Sequence, residues 1–137
     1  MQGTQARCQC GQLTAAIDGA AEPVVVLCHC LDCQRRSGSP FGEIAYYPAG
    51  AVQFAGEARE YTRTTDAGNR FTGGFCPVCG STLYTRSSKN PTLTGITIGT
   101  IADPAFPPPT RSVYERSRHC WLGLPENVPR HPSGRDS

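Results

Sequence analysis

The sequence predicts an all-β protein made of small antiparallel sheets and stabilised by zinc, and three observations carry that reading. Short apolar or alternating segments rich in Val, Ile, Thr, Tyr and Phe recur between turn residues, as strands of a half-buried sheet require. Glycine (15) and proline (12) are abundant in a chain of 137 residues, which favours many turns over long helices. Seven of the eight cysteines fall into three tight clusters, a spacing suited to metal ligation.

In chain order the expected strands are 13–17, 24–27, 44–47, 52–54, 61–65, 70–75, 82–84, 93–98 and 112–114. Gly11, Gly19, Gly50, Gly56, Gly68 and Gly80 punctuate them, and this regular spacing argues for mainly antiparallel pairing. One short helix is expected around 32–36, since no amphipathic run is long enough for more. Residues 104–109 contain four prolines and read as an extended connector over the surface. Residues 1–124 are expected to form one domain with a modest core. Residues 125–137, PENVPRHPSGRDS, read as a disordered tail.

No apolar run approaches the length that spans a bilayer, and residues 1–7 lack the charged start and apolar stretch of a secretory signal. A cytoplasmic protein without a membrane partner is therefore expected. In that reducing setting clustered thiols hold metal more often than they pair as disulfides. The formal charge is +2, and twelve of the thirteen basic residues are scattered arginines, of which only Arg35 and Arg36 are adjacent. With no basic stripe, no nucleic-acid partner is expected.

The clusters are Cys8-Gln9-Cys10-Gly11, Cys28-His29-Cys30-Leu31-Asp32-Cys33 and Cys76-Pro77-Val78-Cys79-Gly80. The last is a knuckle whose amides can face two sulfurs, commonly half of a tetrahedral zinc site. On an extended strand Cys8 and Cys10 would share a face, with Cα atoms about 6.6 Å apart, and a bend at Gly11 would bring their sulfurs together. Joined to Cys76 and Cys79 they make a closed four-sulfur structural site. Cys28, Cys30 and Cys33 supply only three thiolates, the protein complement of a catalytic zinc with an open position. Three thiolates leave such a zinc formally at −1, a poor Lewis acid but a good host for a soft fourth ligand such as a substrate thiolate. Arg35 and Arg36 could offset that charge or hold a carboxylate in a fork; the alternative is a solvated surface role. His29 or Cys120 could instead complete a second structural site, although strand alternation turns His29 away from its neighbours' sulfurs.

The order C-x-C-G, then C-H-C-x-x-C-x-R-R-S-G, then F-C-P-x-C-G resembles the glutathione-dependent formaldehyde-activating family, which includes centromere protein V-type domains. The likeness continues through residues 61–64, Gly80-Ser81-Thr82-Leu83-Tyr84, and Ser117-Arg118-His119 followed by Trp121-Leu122. It spans roughly residues 5–124, and three clusters in this order are a specific signal. The resemblance implies a β-tent fold with two zinc ions per chain. Cys8, Cys10, Cys76 and Cys79 would hold the structural ion, and Cys28, Cys30 and Cys33 the catalytic one. It also implies carbon–sulfur lyase chemistry on a glutathione–formaldehyde adduct, with a small thiol such as glutathione as partner. Ser37, His119 and His29 are the candidates to carry the proton. Cys120 departs from the family stretch; it could be a free thiol, a fourth ligand or a redox partner, and a spectator role is favoured. Two other functions compete with the enzyme: a non-catalytic carrier of glutathione or its adduct, and a zinc-stabilised interaction module.

Overall fold

Short strands recur along the chain, some of them with side chains that alternate between buried and more exposed positions. The computed structural model describes residues 3–137. Its strands are β1 (Thr4–Arg7), β2 (Thr14–Ile17), β3 (Val24–Cys28), β4 (Gly42–Pro48), β5 (Val52–Ala55), β6 (Arg59–Thr64), β7 (Arg70–Phe75), β8 (Thr82–Ser87), β9 (Leu93–Thr97) and β10 (Arg111–Val113). The helices are α1 (Leu31–Ser37) and the single turn α2 (Ile98–Ile101). All nine expected segments form strands, and the expected short helix is α1. Among the described residues β1, whose sequence TQAR buries a single side chain, Ala6, went unforeseen, as did the turn α2, which takes the end of the strand expected over 93–98.

The chain divides into two compact units, Met1–Pro23 with Ala45–Pro104, and Val24–Ile44 with Ala105–Ser137. In the first, β1, β2 and β5 form an antiparallel sheet in that order. Ala6, Ala15 and Ile17 on its strands are buried. The same unit carries the strand order β4-β9-β8-β7-β6, with Tyr47, Leu83 and Ile96 enclosed. On β7, Gly74 is required by contact, because a Cβ there would lie 2.0 Å from the Tyr84 ring.

The second unit carries β10, β3 and the start of β4. Here β3 and β10 are parallel, with Leu27 opposite Ser112 and Cys28 opposite Val113. A parallel pair cannot be closed by a hairpin and needs a long connection, so alternation alone does not announce it. Helix α1 begins at Cys30, whose sulfur accepts the Cys33 amide, and ends at Gly38 in the left-handed region with φ 69°. Both caps follow from residue type: a side-chain acceptor at the start and a glycine after the last turn.

Residues 125–137, expected to be a tail, carry backbone hydrogen bonds to β10 and its neighbours. The Ser112 amide donates to Pro129 O and the His131 amide to Ser112 O, both at 2.9 Å, while the Tyr114 amide donates to Ser133 O at 2.8 Å. Ser112 and Arg130 form a parallel bridge, and Val128 is buried. Backbone groups, the buried Val128 and the side chains of His131, Ser133 and Ser137 supply these contacts.

Candidate metal centres

Cys8 and Cys10 lie in a turn after β1 rather than on the extended strand that their spacing suggested. The turn closes through the Gly11 amide on Cys8 O at 3.1 Å, and Gly11 has φ 85°, a region glycine enters without strain. Reversal of the chain does what a straight strand could not: the two sulfurs stand 3.7 Å apart. Cys76 and Cys79 follow β7 in the expected knuckle, with the Gly80 amide on Cys76 O at 2.8 Å. Cys10 Sγ lies 3.7 Å from Cys76 Sγ, and all four sulfurs lie within 4.8 Å of one another. A tetrahedral zinc with bonds of about 2.3 Å separates its sulfurs by about 3.8 Å. The donor set fits zinc, and 3.7 Å is far outside a disulfide bond, about 2.05 Å.

Hydrogen-bond donors converge on this centre. The Leu13 amide reaches Cys8 Sγ at 3.3 Å and the Val78 amide reaches Cys76 Sγ at 3.4 Å. The Gln12 side-chain amide donates to Cys76 Sγ at 3.1 Å and to Glu57 O at 2.6 Å, while its oxygen accepts the Glu57 amide at 3.0 Å. The Ser81 hydroxyl and amide bring the Cys79 thiol down to about 5. Burial pushes Cys76 up, but the Cys79 amide, Gln12 and the Val78 amide outweigh it and leave that thiol lowered. Cys10 is the exception: the Gln12 amide pulls it down, yet desolvation and its three cysteine neighbours leave it raised to about 11.

In the second unit Cys28 ends β3, Cys30 caps α1 and Cys33 lies in its first turn. Their sulfurs also lie within 4.8 Å of one another, and among the described residues no fourth His, Cys, Asp or Glu joins them. The Cys33 amide donates to Cys30 Sγ at 3.3 Å. Contacts with Cys30 and Cys33, together with burial, push the Cys28 thiol up. Cys33 is helped by Cys28, but Cys30 and burial prevail over that and over Arg36, and it is pushed up to about 11. Three sulfurs gathered this way suit a divalent soft cation far better than three protons.

The structure separates the two arginines. Arg35 is exposed, whereas Arg36 is half-buried with its Nε enclosed and without a hydrogen-bond partner. A Cβ on Gly42 would stand 2.6 Å from a terminal nitrogen of Arg36 and 3.7 Å from Cys33 Sγ. The guanidinium therefore lies beside the sulfurs, in space that glycine leaves open. Cys120 is exposed and outside both groups.

His29 faces away from the sulfurs, as strand alternation requires, and is fully buried. Its Nε2 lies 2.9 Å from Ser112 Oγ and 3.1 Å from Glu115 Oε2. Ser112 Oγ donates to the same carboxylate oxygen at 2.5 Å, and Arg118 pairs with Glu115 at 3.0 Å. Burial lowers the His29 pKa against the pull of Glu115, so the neutral ring donates from Nε2. On α1, the Gln34 side-chain nitrogen donates to His29 O at 2.9 Å and Ser117 O at 3.1 Å. Its oxygen lies 3.0 Å from His119 Nε2. Ser112, Glu115, Gln34 and Gln12 were missed in the sequence, since nothing in their local spacing marks partners dozens of residues away.

Comparison with known proteins agrees with this geometry. Residues 3–117 match a protein family described as glutathione-dependent formaldehyde-activating enzyme. Among solved structures, the crystal structure of a Rhodobacter sphaeroides protein superposes with a TM-score of 0.52 at 19% identity, covering 70% of this chain and 85% of that one. That likeness concerns the fold. No curated protein matches significantly. With the family match running through all three cysteine clusters, the chain belongs to the glutathione-dependent formaldehyde-activating enzyme family.

Proposed function

We propose that the protein is a zinc-dependent carbon–sulfur lyase acting on a glutathione–aldehyde adduct of the S-hydroxymethylglutathione type. The observation that carries this reading is the group of three sulfurs, Cys28, Cys30 and Cys33, which no fourth ligand joins among the described residues. Zinc held there would supply a soft cationic seat with one position left for a thiolate.

The chain's own residues bind and orient. Arg36, beside Cys33, offsets the thiolate charge and keeps donors for a carboxylate of the thiol substrate. Arg35, exposed one residue earlier, serves as the outer arm. In the lyase direction the adduct hydroxyl gives up its proton, the carbon–sulfur bond breaks toward sulfur, and the carbon–oxygen double bond of the aldehyde forms. We assign the proton to His119. Its Nε2 faces an amide oxygen, which can only accept, so Nε2 carries hydrogen and Nδ1 is the acceptor. His29 is enclosed, and Ser37 Oγ donates to Phe41 O while accepting the Ser39 amide.

The test is Cys30→Ser. It should abolish adduct turnover and lower zinc toward one per chain while most of the fold persists. Two zinc ions together with surviving turnover would exclude the reading. One zinc with binding of glutathione but no turnover in the parent protein would favour a carrier.

A further inference from the structure

We propose that residues 128–133 brace the three-cysteine centre: paired along β10, they hold Ser112 and Glu115 where these fix His29, and through it the spacing of Cys28 and Cys30. The proposal rests on the lyase reading only in treating those cysteines as the working centre.

The chain of contacts is continuous. β10 has three residues, and so short a parallel strand with one neighbour is weak. β3 lies on one side of it. Ser112 exchanges bonds with Pro129 O and the His131 amide, both at 2.9 Å, and the Glu115 amide donates to His131 O at 2.9 Å. Val128, 9% exposed, anchors the segment. From that position Ser112 Oγ and Glu115 Oε2 meet His29 Nε2 at 2.9 and 3.1 Å. The His29 amide also donates to Val113 O at 3.1 Å. His29 is flanked on both sides by sulfur donors, so a shift of its backbone moves both. The brace lies beyond residue 117, where the family match stops.

This makes Val128 and the His131 amide positioning groups, tested in the full chain loaded with cadmium. Cadmium-113 resonance reports the two centres separately, and chelator competition measures retention at each. Val128→Asp and His131→Pro, the latter deleting the amide donor, should weaken retention at the three-cysteine centre about tenfold, the low end for groups behind a metal ligand. Retention and resonance at the four-cysteine centre should stay at parent values, and Val128→Ile should behave as the parent. Amide exchange at His29 should quicken in the first two variants. Equal loss from both centres, a uniform fall in thermal stability without selectivity, or no change at either centre would overturn the brace. Survival of turnover in Cys30→Ser would overturn the lyase reading instead, leaving the exchange and retention results to decide this one.

Discussion

The two cysteine centres hold similar sulfurs in unlike surroundings. Around Cys8, Cys10, Cys76 and Cys79, backbone amides, Gln12 and Ser81 all point at sulfur. Around Cys28, Cys30 and Cys33 the Cys33 amide points at sulfur, and the Arg36 charge acts on Cys33. Hydrogen bonds to a thiolate stabilise it and tighten ligand geometry. On the proposed function the first centre would keep a bound ion closed off by four sulfurs. On the same reading the second, with one sulfur fewer among the described residues, would leave a bound ion one position for a substrate thiolate. The difference teaches that the proposed division into a structural and a working centre rests on the sulfur count, four against three among the described residues.

The largest effect should come from the first centre. Cys79→Ser removes a proposed ligand, the thiol that Ser81 brings down to about 5. Because metal binding is part of the folding free energy of such domains, the variant should unfold or become insoluble. Thermal melts with and without chelator check this; an unchanged melting temperature would refute the structural assignment.

Acid should separate the centres next. Metal competes with protons for thiolates. Cys28 and Cys33 have raised pKa values, so their protons are hard to displace and return early as pH falls. Cys79 is lowered to about 5 and Cys76 is also lowered, which outweighs the raised Cys10. Stability supplied by a depressed group is present above its unfolded pKa and lost only as pH falls through the folded one. Zinc release followed during acidification should thus occur in two steps, the three-cysteine centre first and the four-cysteine centre at lower pH. A single step, or the reverse order, would erase the contrast.

Much of this was legible beforehand because it is written in local spacing. Three cysteine clusters and nine strand segments needed only intervals and alternation. What stayed hidden was non-local. No period says that β10 pairs in parallel with β3, or that Ser112 lies against His29, 83 residues away in sequence. The contacts of the segment beyond Leu124 were hidden for the same reason: composition reports side chains, whereas many of these contacts are backbone bonds to β10. The turn at Cys8 and Cys10 shows a milder case, since spacing placed the ligands and Gly11 but not the reversal between them.

The arginines sharpen the comparison at smaller scale. Arg36→Ala should weaken binding of glutathione more than binding of an uncharged small thiol. Loss of a charge-assisted hydrogen bond costs roughly 1.5–3 kcal/mol, about one to two decades. Arg35→Ala, at an exposed position, should do the same more weakly. Titration calorimetry with both thiols decides it; equal losses for the two thiols would mean that Arg36 acts through the metal charge or the fold instead.

The smallest effect is expected at Cys120, and it is informative because it is small. The residue is exposed, and its thiol is not among the three sulfurs gathered in the second unit. Those three already make the complement that an open zinc needs. A fourth thiolate would take the formal charge of the centre to −2 and fill the position required by a substrate sulfur. Arg36 alone could not balance that charge. Cys120→Ala should therefore leave zinc content and adduct turnover near parent values and remove only an accessible site of oxidation. Zinc analysis and turnover on the same preparation make the check. If the substitution releases a zinc or sharply raises turnover, Cys120 closes the second centre in solution. The contrast between a closed and an open centre would then collapse, and a zinc-stabilised interaction module would become the better description of the chain.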